Sequence, residues 1–159
     1  YFTALGTSSS AATIPVSMES TLKNGISKPV ASFVIPLCAT IHLSGSMIKL
    51  TLYAFAIVYM ANLDISTSTG LGFIFLLGIM MIAAPGVPGG AVMVAAGLLA
   101  DMMGFDDGMV ALMIAAYIAI DSVGTAANVT GDGAIAMIVD KFAGSKKDHT
   151  EEESAEATA

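Results

Sequence analysis

The 159-residue sequence has no arginine, no tryptophan, a single cysteine, and no lysine anywhere between Lys49 and Lys141. Each of these absences removes a class of function. With six scattered lysines as its only strong bases, the chain has no basic face to neutralise phosphates, which excludes a nucleic-acid role. Cys38, being alone, permits neither an internal disulfide nor a cysteine-rich metal site, and reads as a small packing residue. No hydrolytic triad, P-loop or metal-hydrolase spacing is present, which argues against an enzyme. The opening YFTALGTSSSAATIP has no initiating methionine and no charged signal-peptide region, so the chain reads as the carboxy-terminal part of something longer.

Charge itself is scarce. Only 12% of residues are charged and 55% are hydrophobic, with a mean hydropathy of +0.80; soluble domains carry about a quarter charged. These values indicate a membrane protein or a large piece of one, expected to be all-α from the helix-length apolar stretches below. Much of the net charge of −7 lies in the tail, expected to be unfolded and cytoplasmic over 143–159, because KKDHTEEESAEATA cannot bury enough apolar area to fold.

The apolar stretches are interrupted where an ordinary spanning helix would be continuous. The first segment, about 1–22, is split by TSSSAATIP (Thr7–Pro15), and the second, about 29–63, contains TIHLSGS (Thr40–Ser46). The third, about 68–103, is divided by AAPGVPGG (Ala83–Gly90), whose two prolines and three glycines make an unbroken helix untenable. Neither half of it reaches the ~20 residues of a span, so it reads as a re-entrant hairpin. The fourth, about 106–142, carries DSVGTAANVTGD (Asp121–Asp132) at its centre. Non-helical backbone survives at membrane depth only when buried in protein or lining a watery cavity, so these breaks imply a polar cavity near the midplane. Lys23 and Lys28 on one side, and Lys141, Lys146 and Lys147 after the last segment, place those connections in the cytoplasm by the positive-inside tendency.

Asp121 and Asp132 are the acids of the apolar run Gly108–Val139 within that segment. An ionisable residue at such depth costs several kcal/mol and is by default a site for an ion, a proton or a substrate. With almost no internal basic partner in sight, the expectation is that the balancing positive charge comes from outside: a cation, a proton or a ligand ammonium. Asp121, Thr125, Asn128 and Asp132 follow at spacings of four, three and four, on one helical face or around an unwound turn beside Gly124. Their oxygens suit Na⁺; the duller reading is hydrogen bonding between helices. The sequon at Asn128-Val129-Thr130 falls mid-membrane and is accidental.

Ser8, Ser9 and Ser10, and the Gly86–Gly90 turn, read as broken-helix tips whose unpaired N–H groups suit a carboxylate. A plain loop is the alternative for either one alone. His42 and Ser44 lie in the break of the second segment, where a histidine serves as a proton relay or ligand, or equally as a structural hydrogen-bonding group. Lys49, one turn further on, either packs at an interface with its charge snorkelling out or reaches the cavity and offsets one carboxylate. The eleven methionines read as pliable apolar filler.

SSSAATIPVSM (Ser8–Met18), FVIPLCATIHLSGS (Phe33–Ser46), APGVPGG (Ala84–Gly90) and NVTGD (Asn128–Asp132) together resemble the dicarboxylate/amino acid:cation symporter family, the glutamate-transporter homologues, over about 1–142. The resemblance implies part of an elevator-type transport domain: hairpin one, broken helix seven, hairpin two and broken helix eight. It implies a homotrimer through a scaffold absent from this chain, a plasma-membrane location and a lipid environment. Carried over by position, Ser10, Ser46, Val87, Ala91, Asp121, Thr125 and Asn128 would contact substrate, with Asp121 on its amino group. Backbone oxygens of Cys38, His42 and Asn128 with the Asp132 carboxylate would hold one sodium, and Thr40 with backbone at Met81, Ile82 and Ala84 a second.

The departures from the family pattern bear on substrate. Where the family commonly reads Asn-Met-Asp-Gly-Thr, this chain has His42-Leu43-Ser44-Gly45-Ser46, so the carboxylate of a third cation site is replaced by Ser44. Gly124 and Ser8 stand at the two positions where acidic-substrate members carry arginine. Without a guanidinium fork, bidentate recognition of a side-chain carboxylate is lost. The expected function is therefore sodium-coupled symport of a neutral or polar amino acid, Gly124 leaving room for a larger side chain. Dicarboxylates or acidic amino acids remain the alternative if Lys49 substitutes. H⁺ is the alternative coupled ion, and a channel-like protein the alternative class.

Overall fold

In the computed structural model, residues 1–156 are described in backbone and 1–143 with their side chains. Eight α-helices and one 3-10 turn follow one another: α1 (Phe2–Thr7), α2 (Ser10–Lys23), α3 (Lys28–Ile41), α4 (Ser44–Met60), α5 (Thr67–Met80), the 3-10 turn (Met81–Ala83), α6 (Gly90–Met103), α7 (Asp107–Ala119) and α8 (Asp121–Glu156). No strand occurs among the described residues. The backbone of α8 runs on as helix through most of the segment expected to be unfolded. Side chains after Ala143, and residues 157–159, lie outside the described residues.

Local chemistry sets the helix ends. Ser9, Ser66 and Asp106 cap α2, α5 and α7 by accepting the N–H of the residue three positions on. Gly104, at φ 68, ends α6 in the left-handed conformation that costs glycine nothing. Breaks fall at Ser8–Ser9, at His42–Leu43, between Ala84 and Gly89, and at Ile120. The last differs from the unwound turn considered beside Gly124: α8 is helical through Gly124, so Asp121, Thr125, Asn128 and Asp132 share one helical face.

Lys28–Met60 is long and apolar enough to cross a membrane, and the pair Asp107–Ala119 and Asp121–Ala143, bent by 62° at its break, passes the same test together. The helices Thr67–Ala83 and Gly90–Met103 are shorter apolar pieces. Polarity is distributed as lipid demands. Ser10, Thr13, Ser46, Lys49, Asp121, Thr125, Asn128 and Asp132 are buried, while Phe33, Phe75, Met93 and Phe142 stand outward. No buried side-chain nitrogen or oxygen among the described residues lacks a hydrogen-bond partner.

Two apolar clusters hold the helices. One packs Leu50 and Ala54 of α4 with Phe73 and Leu77 of α5, Val92 and Leu99 of α6, and Met113 and Tyr117 of α7. The other joins Ala31, Val34, Ile35 and Cys38 of α3 to Ala136 of α8. Residues at or next to all four breaks, among them Ser8, Leu43, Gly86 and Asp121, border one cleft.

Contact between α4 and α8 is backbone-close at Gly45. A Cβ there would lie 2.5 Å from the Gly124 carbonyl oxygen and 2.7 Å from the Ala127 Cβ, so α8 would have to move. Gly45→Ala is expected to destabilise by about 1–3 kcal/mol, the usual cost of overpacking. Thermal unfolding of the complete protein in detergent measures it as a lowered Tm; an unchanged Tm would mean that α4 and α8 can separate freely at this point.

Candidate functional site

The two hairpin tips meet directly. Ser9 turns its hydroxyl inward, donating to the Gly86 carbonyl at 2.9 Å while accepting the Ala12 N–H at 3.2 Å, and the Ala11 N–H donates to the same Gly86 oxygen at 3.1 Å. Donors expected to be free for a substrate carboxylate are thus partly engaged by the opposite tip. Gly86 also lies on the end of α3, since a Cβ would run into the Ala39 carbonyl. Gly89, at φ 74, directs its N–H at Asp121 Oδ2, 2.8 Å away.

Asn128 is the hub of the second break. Its Oδ1 accepts the Gly45 N–H at 2.8 Å and the Ser46 N–H at 3.4 Å, and its Nδ2 donates to Ser46 Oγ at 3.1 Å. A side chain of α8 therefore caps α4, which has no capping side chain of its own.

Asp121 overturns the expectation of an external positive charge. Lys49 Nζ donates to its Oδ1 at 2.9 Å, to the Tyr117 carbonyl at 3.2 Å and to the Ile120 carbonyl at 3.4 Å, and sits 3.5 Å from the centroid of the Tyr117 ring. Both charged side chains are buried. Separation in sequence hid the pair, because Lys49 and Asp121 lie 72 residues apart. Asp132 is met by a hydrogen bond instead: His42 Nδ1 and Asp132 Oδ1 lie 2.8 Å apart. Two glycines of α8 make the room. A Cβ at Gly124 would come 3.3 Å from Lys49 Nζ, and one at Gly131 would overlap the His42 ring. The space at Gly124 is thus filled by Lys49 and is not open to a substrate side chain.

All seven residues carried over for substrate, Ser10, Ser46, Val87, Ala91, Asp121, Thr125 and Asn128, border a single cleft. Ser8 and Gly86, read from the sequence as tip residues, lie on the same wall, and sequence reasoning missed Leu43, Pro85 and Tyr117 there. Of these, the apolar spacing around Tyr117 offered no signal, since it reads as core. The space left in this geometry is ≈ 10 Å³, room for about one water.

The residues carried over for sodium fall in two places. Cys38, His42, Asn128 and Asp132 lie where α3 ends against α8. There the Cys38 carbonyl accepts the His42 N–H at 2.8 Å, and Asp132 is hydrogen-bonded to the His42 ring. Thr40 lies in the last turn of α3, which packs on the 3-10 turn; its hydroxyl donates to the Leu37 carbonyl at 2.7 Å. Met81 and Ala84 are buried there and Ile82 is exposed. No three His, Cys, Asp or Glu side chains converge on a metal position among the described residues, so oxygen from backbone would have to supply most of either site.

Broken helices and two facing hairpin tips around a buried polar centre define a partial helical transport domain of a membrane protein. Comparison with known proteins makes the family explicit: the chain belongs to the sodium:dicarboxylate symporter family, whose model matches residues 1–142. It is 32% identical to excitatory amino acid transporter 1 of Rattus norvegicus over 139 residues, 87% of this chain and 25% of that protein. It is 29% identical to the neutral amino acid transporter B(0) of Homo sapiens over 161 residues, 97% of this chain and 28% of that protein. The chain spans about a quarter of the length of these relatives. They are transporters, not enzymes.

Asn128→Ala would leave the Gly45 N–H without its acceptor, a loss of about 1–3 kcal/mol for a buried donor. The expected result is a lower Tm, read by thermal unfolding of the complete protein in detergent. Full stability in the variant would show that Asn128 is dispensable as the cap of α4.

Proposed function

We propose that this chain forms the binding centre of a sodium-coupled symporter for a small amino acid, neutral or polar, working by an elevator-type alternation of access. The observation that supports this is the convergence of four backbone breaks on one cleft that offers hydroxyls (Ser10, Ser46, Thr125), an amide (Asn128) and one carboxylate (Asp121), but no guanidinium. The substrate ammonium goes to Asp121 and its carboxylate to the hairpin tips, while a side-chain carboxylate finds no bidentate partner. Binding requires the tips to part, because the present spacing is water-sized.

Sodium is assigned to Asp132 with backbone oxygens of Cys38, His42 and Asn128, and to Thr40 with backbone at Met81, Ile82 and Ala84. An ionised carboxylate has lone pairs enough to serve a cation and the His42 ring together. A proton is the alternative coupled ion. The working unit on this reading is a plasma-membrane homotrimer, built through a scaffold outside this chain, with the end of α8 facing the cytoplasm.

One observation favours a second reading. Lys49 already balances Asp121, so the centre is less acidic than its cleft residues alone suggest, and that lowers the cost of admitting a dicarboxylate or an acidic amino acid.

The test is uptake of a substrate panel by the complete protein with and without a sodium gradient. Sodium-driven, saturable uptake of neutral amino acids is expected, and its loss in Asp132→Asn. Uptake indifferent to sodium would reject the coupling, preference for succinate or aspartate would select the second reading, and current that never saturates with permeant ion would select a channel.

A further inference from the structure

The Lys49 ammonium occupies a place built for it. Its three N–H donors match three acceptors: Asp121 Oδ1 and the carbonyls of Tyr117 and Ile120. These carbonyls belong to the last turn of α7 and the break after it, where the helix dipole is negative. The Tyr117 ring face lies beneath the ammonium, and Gly124 withholds the Cβ that would crowd it. The side chain arrives from outside the cleft, along an apolar groove bordered by Ile48, Leu52 and Val123, so it meets Asp121 from behind. Asp121 meanwhile gives its second oxygen to the Gly89 N–H of the hairpin-two tip.

A closed tip and a balanced Asp121 therefore coexist in a geometry whose remaining space takes about one water and cannot take an amino acid. A symporter that performs net uptake must return after releasing its cargo, whereas one that only exchanges substrate crosses loaded in both directions. After release, a carboxylate that had held the substrate ammonium would be left bare beneath the closing tip, which is costly in the membrane interior.

We propose that Lys49 is the tethered counter-cation of Asp121 that permits the unloaded carrier to close and return, and so makes net uptake possible. This rests on the symporter reading above. Lys49 is a positioning residue for the return step: it balances Asp121 when cargo is gone and need not touch the cargo itself.

The test compares two modes of the complete transporter in proteoliposomes: net sodium-driven uptake into vesicles without internal substrate, and exchange of labelled for unlabelled substrate present on both sides. Lys49→Gln is expected to lower net uptake about tenfold or more while exchange stays within about twofold. Gly124→Ala, which crowds the ammonium from the α8 side, should shift the ratio the same way by a smaller factor. An unchanged ratio of net uptake to exchange in Lys49→Gln overturns the proposal. Should that variant lose both modes, the ratio in Gly124→Ala decides, and an unchanged ratio there overturns it. Absence of both modes in the unaltered protein would instead reject the symporter reading.

Discussion

A carboxylate buried in an apolar chain has to be met by a partner, and the rest of this structure follows from how that requirement is satisfied twice on one helix face. Asp121 and Asp132 lie three turns apart on α8, and each receives a nitrogen from the stretch that spans the end of α3 and the start of α4: Lys49 for the first, His42 for the second. Both partners fit because α8 presents glycine opposite them, Gly124 and Gly131. The close α4–α8 approach at Gly45 is part of the same arrangement. It brings the lysine stem within reach of Asp121, and it lets Asn128 cap α4 in place of the side chain that α4 lacks.

The backbone obeys the same rule. Each break exposes groups that hydrocarbon cannot satisfy, and in each case the partner comes from another break, from the first turns of α2 or α4, or from the face of α8. The Gly86 carbonyl is taken by Ser9 and Ala11, the Gly89 N–H by Asp121, the Gly45 N–H by Asn128, and the Tyr117 and Ile120 carbonyls by Lys49. Removing one partner therefore strands a group in a neighbouring element. A chain interrupted four times remains ordered because its interruptions complete one another.

This pattern explains what could be read from the sequence. The breaks were legible because proline, glycine and serine cannot sustain a membrane helix over Ala83–Gly90 or Thr7–Pro15. Spacing brought Asp121, Thr125, Asn128 and Asp132 together but left a helical face and an unwound turn beside Gly124 as equal alternatives. Motifs then placed seven side chains that border one cleft. The ion pair was not legible, because a lone lysine in an apolar helix reads equally well as an interface residue. Nothing local to Lys49 reveals that an α7 carbonyl end, an aromatic face and a glycine lie 68 to 75 residues further on. Gly124 shows the difficulty most directly: its missing side chain suggested space for cargo, whereas the space belongs to Lys49. Tyr117 was hidden for a related reason, since an aromatic among aliphatics looks like core until its ring is seen beneath an ammonium.

The two tip contacts differ in what can release them. Gly86 is held by Ser9 and Ala11, neutral donors from hairpin one, so that latch answers only to the relative position of the two hairpins. Gly89 is held by Asp121, a charged acceptor whose other oxygen is taken by Lys49, so that latch depends on the state of a carboxylate. An ammonium entering from the cleft meets the Oδ2 side of Asp121, because Lys49 covers Oδ1 from behind. On the symporter reading, cargo would therefore displace the Gly89 N–H while leaving the lysine in place. On the symporter reading, the Gly89 contact would share its acceptor with an amino-group substrate, whereas the Gly86 contact would not, so binding would bear on the second tip and not on the first.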